Sequence, residues 1–293
     1  MTAKEAYLRL HLAILLAGGT GLFGRLISLS EVPQVWYRVV IAGVLLAIIL
    51  KYTGKIPTLA RKETLQIGLC GALLAVHWVF FYGSIKASNV SVGVVCFATV
   101  GFYTAILEPL INRHKPSWRE IGLSLLTLAG ILLIFQLDAR YRFGILLGMV
   151  SAILYALFSI FSKKVQHSTG QNSSTMLLYE LLGGGIVLSA VLPAYIYFFP
   201  NLPFIPTGND IWFLLLFCSV FTVGLFLLHF QALSQISAFT VNLSYNLEPV
   251  YSIIFAMILF GEARELGPSF WIGLSLIILS VGIQAFFSIK QNT

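Results

Sequence analysis

Residues 121–125 read Ile-Gly-Leu-Ser-Leu, and residues 272–276 read Ile-Gly-Leu-Ser-Leu again. Each pentapeptide sits inside an apolar run, and the two are offset by 151 residues. Internal repetition is sought before other signals because it sets the whole architecture. At an offset of 142, Tyr37-Arg38 falls on Tyr179-Glu180. At 148, Tyr82 falls on Phe230, Ile85 on Leu233, Phe102 on Val250 and Tyr103 on Tyr251. Small loop insertions account for the drift. The more conspicuous match, Leu107-Glu108-Pro109 with Leu247-Glu248-Pro249, needs an offset of 140 and breaks this register.

The solvent for these repeats is lipid. Of 293 residues, 58% are hydrophobic and only 10% charged, against roughly 25% charged in soluble domains. Mean hydropathy is +0.91. A spanning helix needs roughly 20 mostly apolar residues. Ten runs qualify: 8–27, 34–52, 64–86, 89–112, 118–136, 143–162, 175–199, 210–233, 237–260 and 267–288. Breaks at Pro33, Lys55-Ile56-Pro57, His114-Lys115-Pro116, Gln166 to Ser174, Pro200 to Asp210 and Gly261 to Pro268 separate them. None alternates like a barrel strand. The first run is taken as a retained helix rather than a signal peptide, because similar runs follow it.

The predicted fold is therefore an all-α membrane protein of ten transmembrane helices. Residues 1–138 form the first five-span repeat and 139–293 the second. Five is odd, so the second copy enters the membrane from the opposite side. Inverted repeats commonly place a substrate site near the midplane, at their interface. With the N-terminus in the cytoplasm, twelve of the eighteen Lys and Arg residues fall inside. The positive-inside rule then favours both termini in the cytoplasm. The net charge of +7 is scattered between apolar runs, which argues against a nucleic-acid partner. Cys70, Cys96 and Cys218 have no CxxC neighbour and no metal-ligand spacing, and no nucleotide, hydrolase or metalloprotease motif appears in a fitting context. The reading carries no metal and no cofactor, and ATP hydrolysis within this chain is not the energy source.

Two stretches resemble the drug/metabolite transporter superfamily, EamA type: Gln231 to Ala263, QALSQISAFTVNLSYNLEPVYSIIFAMILFGEA, and Val35 to Leu46, VWYRVVIAGVLL. A proline within the ninth span and a Gly-Glu pair at its end recur in that family; here they are Pro249 and Gly261-Glu262. The first half departs from the pattern, with Gly101 in the place of Pro249 and Asn112-Arg113 in the place of the Gly-Glu pair. The resemblance implies a permease with a central cavity between spans 1–4 and 6–9, and with spans 5 and 10 peripheral.

Glu248 is the first candidate for function, because an ionisable group at mid-membrane costs roughly 2.5–3.5 kcal/mol on insertion scales. Asn242, Tyr245 and Asn246 lie within two turns of it, and Pro249 invites a kink beside it. The group would bind a cation or shuttle a proton; the alternative is a structural carboxyl between helices. His77, Trp78, Phe81 and Tyr82 share one face of the third span. That face suits an amine or a ring, or simply packs. Tyr103, Tyr155 and Tyr251 are further candidate lining residues. Arg38 and Glu180 occupy equivalent repeat positions near opposite membrane faces, so each is a candidate gate. Arg25 or Glu31 would accompany the first, and Lys163 or Lys164 the second. Glu108 and His229 read as interfacial. The tracts Gly18-Gly19-Thr20-Gly21 and Gly183-Gly184-Gly185 allow close helix approach.

The expected function is secondary transport of a small metabolite, most consistent with an amino acid or similar amphipathic solute, by alternating access in export or exchange. The rivals are an intramembrane lipid-modifying enzyme and a passive facilitator or channel. The expected partners are that solute, membrane lipid and a coupling proton or cation, with the protein a monomer or homodimer in a bacterial inner membrane.

Overall fold

A computed structural model of the protein describes residues 3–54, 57–135, 141–260 and 268–291. Its helices are α1 (Ala3–Leu26), α2 (Glu31–Tyr52), α3 (Arg61–Ala87), α4 (Val90–Phe97), α5 (Val100–Asn112), α6 (Trp118–Phe135) and α7 (Arg142–Thr169), followed by α8 (Ser173–Phe198), α9 (Asp210–Cys218), α10 (Leu225–Leu233), α11 (Ala238–Ser244), α12 (Glu248–Phe260) and α13 (Pro268–Gln291). Joined end to end, α4–α5, α9–α10 and α11–α12 each make one pass, so the chain crosses ten times as two repeats. Local chemistry starts and stops these helices. Asn89, Asn172 and Ser237 accept the backbone N–H of Val92, Thr175 and Thr240, capping α4, α8 and α11. Gly54 and Gly170 follow α2 and α7 with φ of 64° and 66°, a left-handed conformation open to glycine.

Three passes expected as single helices are interrupted. The fourth breaks between Phe97 and Val100, where the Thr99 hydroxyl donates to the Cys96 carbonyl. The ninth breaks at a 3-10 turn, Tyr245–Leu247. At the offset of 148, Val100 corresponds to Glu248, so the helix after each break starts at the same repeat position. Pro249 is then the second residue of α12. It lies in a first turn, where its missing N–H is no loss. The eighth pass contains a π turn, Ser219–Gly224. The Gly261-Glu262 pair lies outside the described residues.

The halves interlock. α3 packs along both α7 and α8, and α1 packs against α10 and α12. A Cβ on Gly183 would strike the backbone of Gly68, and one on Gly71 would strike the backbone of Glu180. These glycines let α3 and α8 touch main chain to main chain. α6 and α13 pair with each other at the periphery. Gly130 faces the Gly273 carbonyl, Thr127 bonds Ser280 at 3.0 Å, and Ser280 donates to the Leu123 carbonyl at 2.8 Å. The repeated pentapeptide therefore lies where the last passes of the two repeats meet.

Candidate functional site

The seams between the repeats converge on a small cavity of about 30 Å³, room for roughly one water molecule. α1 supplies Ala17 and Thr20, and α2 supplies Arg38. α3 supplies His77, Trp78, Phe81 and Tyr82. Phe97 and Tyr245 come from the two helix breaks, Tyr155 from α7, Leu225 and Phe226 from α10, and Glu248 from the start of α12.

Arg38, read above as a candidate gate, turns its side chain into the protein. It is 2% exposed and lies at the cavity wall. Its Nε donates to Thr222 Oγ1 at 2.9 Å, Nη1 to the Tyr82 hydroxyl at 3.2 Å and Nη2 to the Phe221 carbonyl at 3.4 Å. The guanidinium carbon stands 3.7 Å from the centre of a Trp78 ring and 4.3 Å from that of Phe217. A planar, weakly hydrated cation suits such a sandwich. The π turn makes the acceptors available: the Thr222 hydroxyl donates to the Phe217 carbonyl five residues back, at 2.9 Å. π turns recur at functional sites. Thr222→Val keeps the shape and removes one acceptor from a charged donor, worth roughly 1.5–3 kcal/mol. The expected result is a transport rate lowered roughly tenfold or more, read in proteoliposomes.

Opposite it, Glu248 is 3% exposed and faces the same space. Each repeat thus contributes one ionisable side chain, a base from the first and an acid from the second. His77 is oriented by Ser151, whose carbonyl lies 3.0 Å and hydroxyl 2.8 Å from Nδ1. A carbonyl only accepts, so Nδ1 carries the proton and Nε2 is the acceptor in the neutral ring. Phe97 stacks edge-on to Tyr155 at 4.9 Å, and Trp78 edge-on to Phe226 at 5.3 Å. Apart from Ala17, Thr20 and Leu225, the remaining walls are aromatic.

The other sequence candidates lie elsewhere. Tyr103 is half-buried, with its hydroxyl 3.9 Å from the Met149 sulfur. Asn242 donates to Thr104 at 2.9 Å, joining α11 to α5. The Asn246 side chain lies outside the described residues. Pro249 is buried behind Glu248, and Tyr251 packs its Cβ on Gly18. Arg25 is at the exposed end of α1. Glu31 accepts from Tyr195 at 2.8 Å instead of approaching Arg38. Glu180 is 1% exposed and takes the Ser162 hydroxyl at 2.7 Å, leaving Oε2 with no hydrogen-bond partner. Lys163 does not reach it; its ammonium donates to the carbonyls of Leu233 and Ile236, closing the end of α10. His229, read above as interfacial, faces the protein interior. It is fully buried, with Nδ1 3.1 Å from the Tyr245 hydroxyl. Glu108 accepts from the Phe239 N–H at 3.1 Å, at the N-terminus of α11.

Sequence reasoning missed Phe97, Leu225 and Phe226, yet the repeat could have found them. At the offset of 148 they are the counterparts of Tyr245, His77 and Trp78. Thr222 and Phe217 had no such signal, because a π turn is invisible in the apolar run around them.

Beyond the cavity, hydrogen bonds tie the helix ends together at both ends of the bundle. At one, Asp210 takes the Ser28 N–H at 2.9 Å and the Thr207 N–H at 3.0 Å, and the Ser30 N–H bonds the Pro203 carbonyl at 2.9 Å. At the other, Lys163 seals the α10–α11 turn and Arg9 holds Gln231.

The EamA-like transporter family model matches residues 5–136 and again 142–285. The chain belongs to the EamA-like transporter family. Relatives of this EamA-like chain include a Bacillus subtilis protein described as an uncharacterized transporter, 21% identical over 90% of this chain and 84% of its own. A Haemophilus influenzae uncharacterized transporter is 30% identical over 52% of each chain. The Arabidopsis thaliana protein named UDP-uronic acid transporter 1 is 23% identical over 68% of this chain and 65% of its own. One crystal structure superposes with a TM-score of 0.74 over 98% of this chain and 99% of that one, at 15% identity. That likeness shows the fold. The EamA-like chain is a membrane transporter.

Proposed function

We propose that this transporter is a secondary carrier for an amino acid or a similar amphipathic solute, working by alternating access in export or exchange. It carries out no enzymatic chemistry. It operates as a monomer or homodimer in the inner membrane of a bacterial cell, with both termini cytoplasmic and a proton or cation as the coupling ion. One observation carries the reading: Arg38 and Glu248, a base and an acid from different repeats, face the same largely aromatic cavity. The cavity as it stands holds roughly one water, so binding requires the repeats to separate; in the widened site a zwitterion matches that pair, its carboxylate toward Arg38 and its ammonium toward Glu248, with an apolar side chain among Trp78, Phe97, Tyr155 and Phe226. Burying two charges costs several kcal/mol per ion, a cost with a purpose if each charge meets the substrate. Because the charges sit on different repeats, moving one repeat against the other changes their separation and opens the site to one side.

The test is counterflow of labelled amino acids into proteoliposomes preloaded with unlabelled ones. Wild-type protein should show saturable exchange. Glu248→Gln, nearly identical in shape, should lower it by roughly 30-fold or more, since truncating one partner of a buried charge interaction costs at least about 2 kcal/mol. Exchange at the wild-type rate in Glu248→Gln would sink the role of this carboxylate. Flux without saturation or counterflow would point to a channel. A nucleotide sugar, the cargo in the name of the Arabidopsis relative, belongs in the same panel.

A further inference from the structure

The outward face of α3 is flanked by two grooves. Between α3 and α7 lies one of about 840 Å³, walled by Leu69, Ala72, Leu73, Val76, Leu154 and Phe161. Between α3 and α8 lies a second of about 510 Å³, walled by Leu65, Gly68, Leu69, Ala72, Leu182 and Ile186. They share Leu69 and Ala72, so one ridge separates them. The notches follow from packing already described. Gly68 and Gly71 have no side chains because α8 touches α3 main chain to main chain there, and Ala72 adds little bulk beside them. Leu65 and Leu69 are 63% and 58% exposed, and Ile186 is 72% exposed, so this surface faces hydrocarbon.

Both grooves are polar at one end, and it is the same end. The first carries Lys164, Ser168 and Gln66; the second carries Arg61, Thr64 and Tyr179. Arg61 begins α3, and Lys164 and Ser168 lie in the last turns of α7, antiparallel to it. Neither Arg61 nor Lys164 has an ion-pair partner among the described residues. Two apolar troughs on either side of one ridge, with a cation at the head of each, match a molecule with two hydrocarbon chains and one negative head.

We propose that α3 is straddled by one anionic diacyl phospholipid, with an acyl chain in each groove and its phosphate held by Arg61 and Lys164. An unfilled groove would forfeit dispersion contacts along its whole length, and long basic side chains at a membrane surface reach toward headgroups. The inner face of the same helix carries His77, Trp78, Phe81 and Tyr82, so the bound lipid braces the wall of the substrate cavity from outside.

The experiment is lipid titration of the full-length protein in a mild nonionic detergent, read by native mass spectrometry and by the unfolding midpoint. The probes are phosphatidylglycerol and phosphatidylcholine with the same two chains, and single-chain lysophosphatidylglycerol. Two basic groups at a membrane surface give a preference of roughly 30-fold for the anionic diacyl lipid over the zwitterionic one. The lysolipid should bind more weakly than its diacyl parent. The double variant R61Q/K164Q should lose the headgroup preference, whereas K51Q/K115Q, at basic sites away from the grooves, should keep it. Ala72→Trp, which pushes a ring into both grooves, should weaken both diacyl lipids. Should the charge variant fold poorly, Ala72→Trp carries the test alone. Equal binding of the two diacyl lipids, a preference that survives R61Q/K164Q, or binding unaffected by Ala72→Trp would overturn the proposal.

Discussion

Arg38→Lys is expected to abolish exchange, although it preserves the charge. The guanidinium places three N–H groups at once on Thr222, Tyr82 and the Phe221 carbonyl while its plane lies between Trp78 and Phe217. An ammonium is a point donor with a tight hydration shell, and it neither stacks nor forks. It would leave two buried acceptors without their donor and widen the gap between the aromatic rings. Removing a partner from a buried charge network costs about 3–5 kcal/mol. Exchange should therefore fall by at least roughly a hundredfold. Arg38→Gln, which also loses the cation facing Glu248, should be no better. The distinguishing measurement is paired: exchange in proteoliposomes beside the unfolding midpoint in detergent. A folded Arg38→Lys protein that exchanges at half the wild-type rate would show that the cation matters here only as charge, and the substrate orientation proposed above would fall.

The second large effect concerns stability rather than transport. Gly183→Ala places a methyl group against the main chain of Gly68, and Gly71→Ala places one against the main chain of Glu180. Backbone cannot rotate aside, so α3 and α8 must separate. Overpacking of a well-packed interior costs about 1–3 kcal/mol and occasionally more, and this contact runs along a seam between the two repeats. Each variant should lower the unfolding midpoint sharply and shift part of the protein to aggregate on size exclusion. Gly43→Ala and Gly122→Ala are the controls. The first meets Leu181 at an ordinary 3.7 Å, and the second meets nothing within 4 Å. Both should be neutral or slightly stabilising, because alanine is the better helix former by about 1 kcal/mol. A wild-type midpoint in Gly183→Ala would mean that the seam is not packed as described.

Much of this architecture is written in local pattern. Ten apolar runs, their punctuation and the drifting repeat offsets announce ten passes in two copies, because lipid demands long apolar helices whatever their neighbours are. Glu248 declared itself by its cost in hydrocarbon, and the His77 to Tyr82 face by helical spacing. These signals need no knowledge of what lies across the interface.

The rest depended on interfaces. Arg38 looked like a residue near a membrane face, because its position along α2 is readable but the depth reached by its long side chain is not. The same side chain crosses to a π turn that only the packing of α2 and α3 against the eighth pass makes useful. Lys163 and Glu180 looked like neighbours by proximity to one membrane face; carbonyls at the end of α10 and the Ser162 hydroxyl claimed them separately. Asn242 precedes Glu248 by six residues and bonds Thr104 on α5 instead of facing the cavity. By itself the sequence determined solvent, number of passes, repeat and family. Only the tertiary structure decided that one cation and one carboxylate from opposite repeats share a cavity. Hydropathy is a property of each run alone, whereas the partner of a buried charge is a property of helices far apart in the chain.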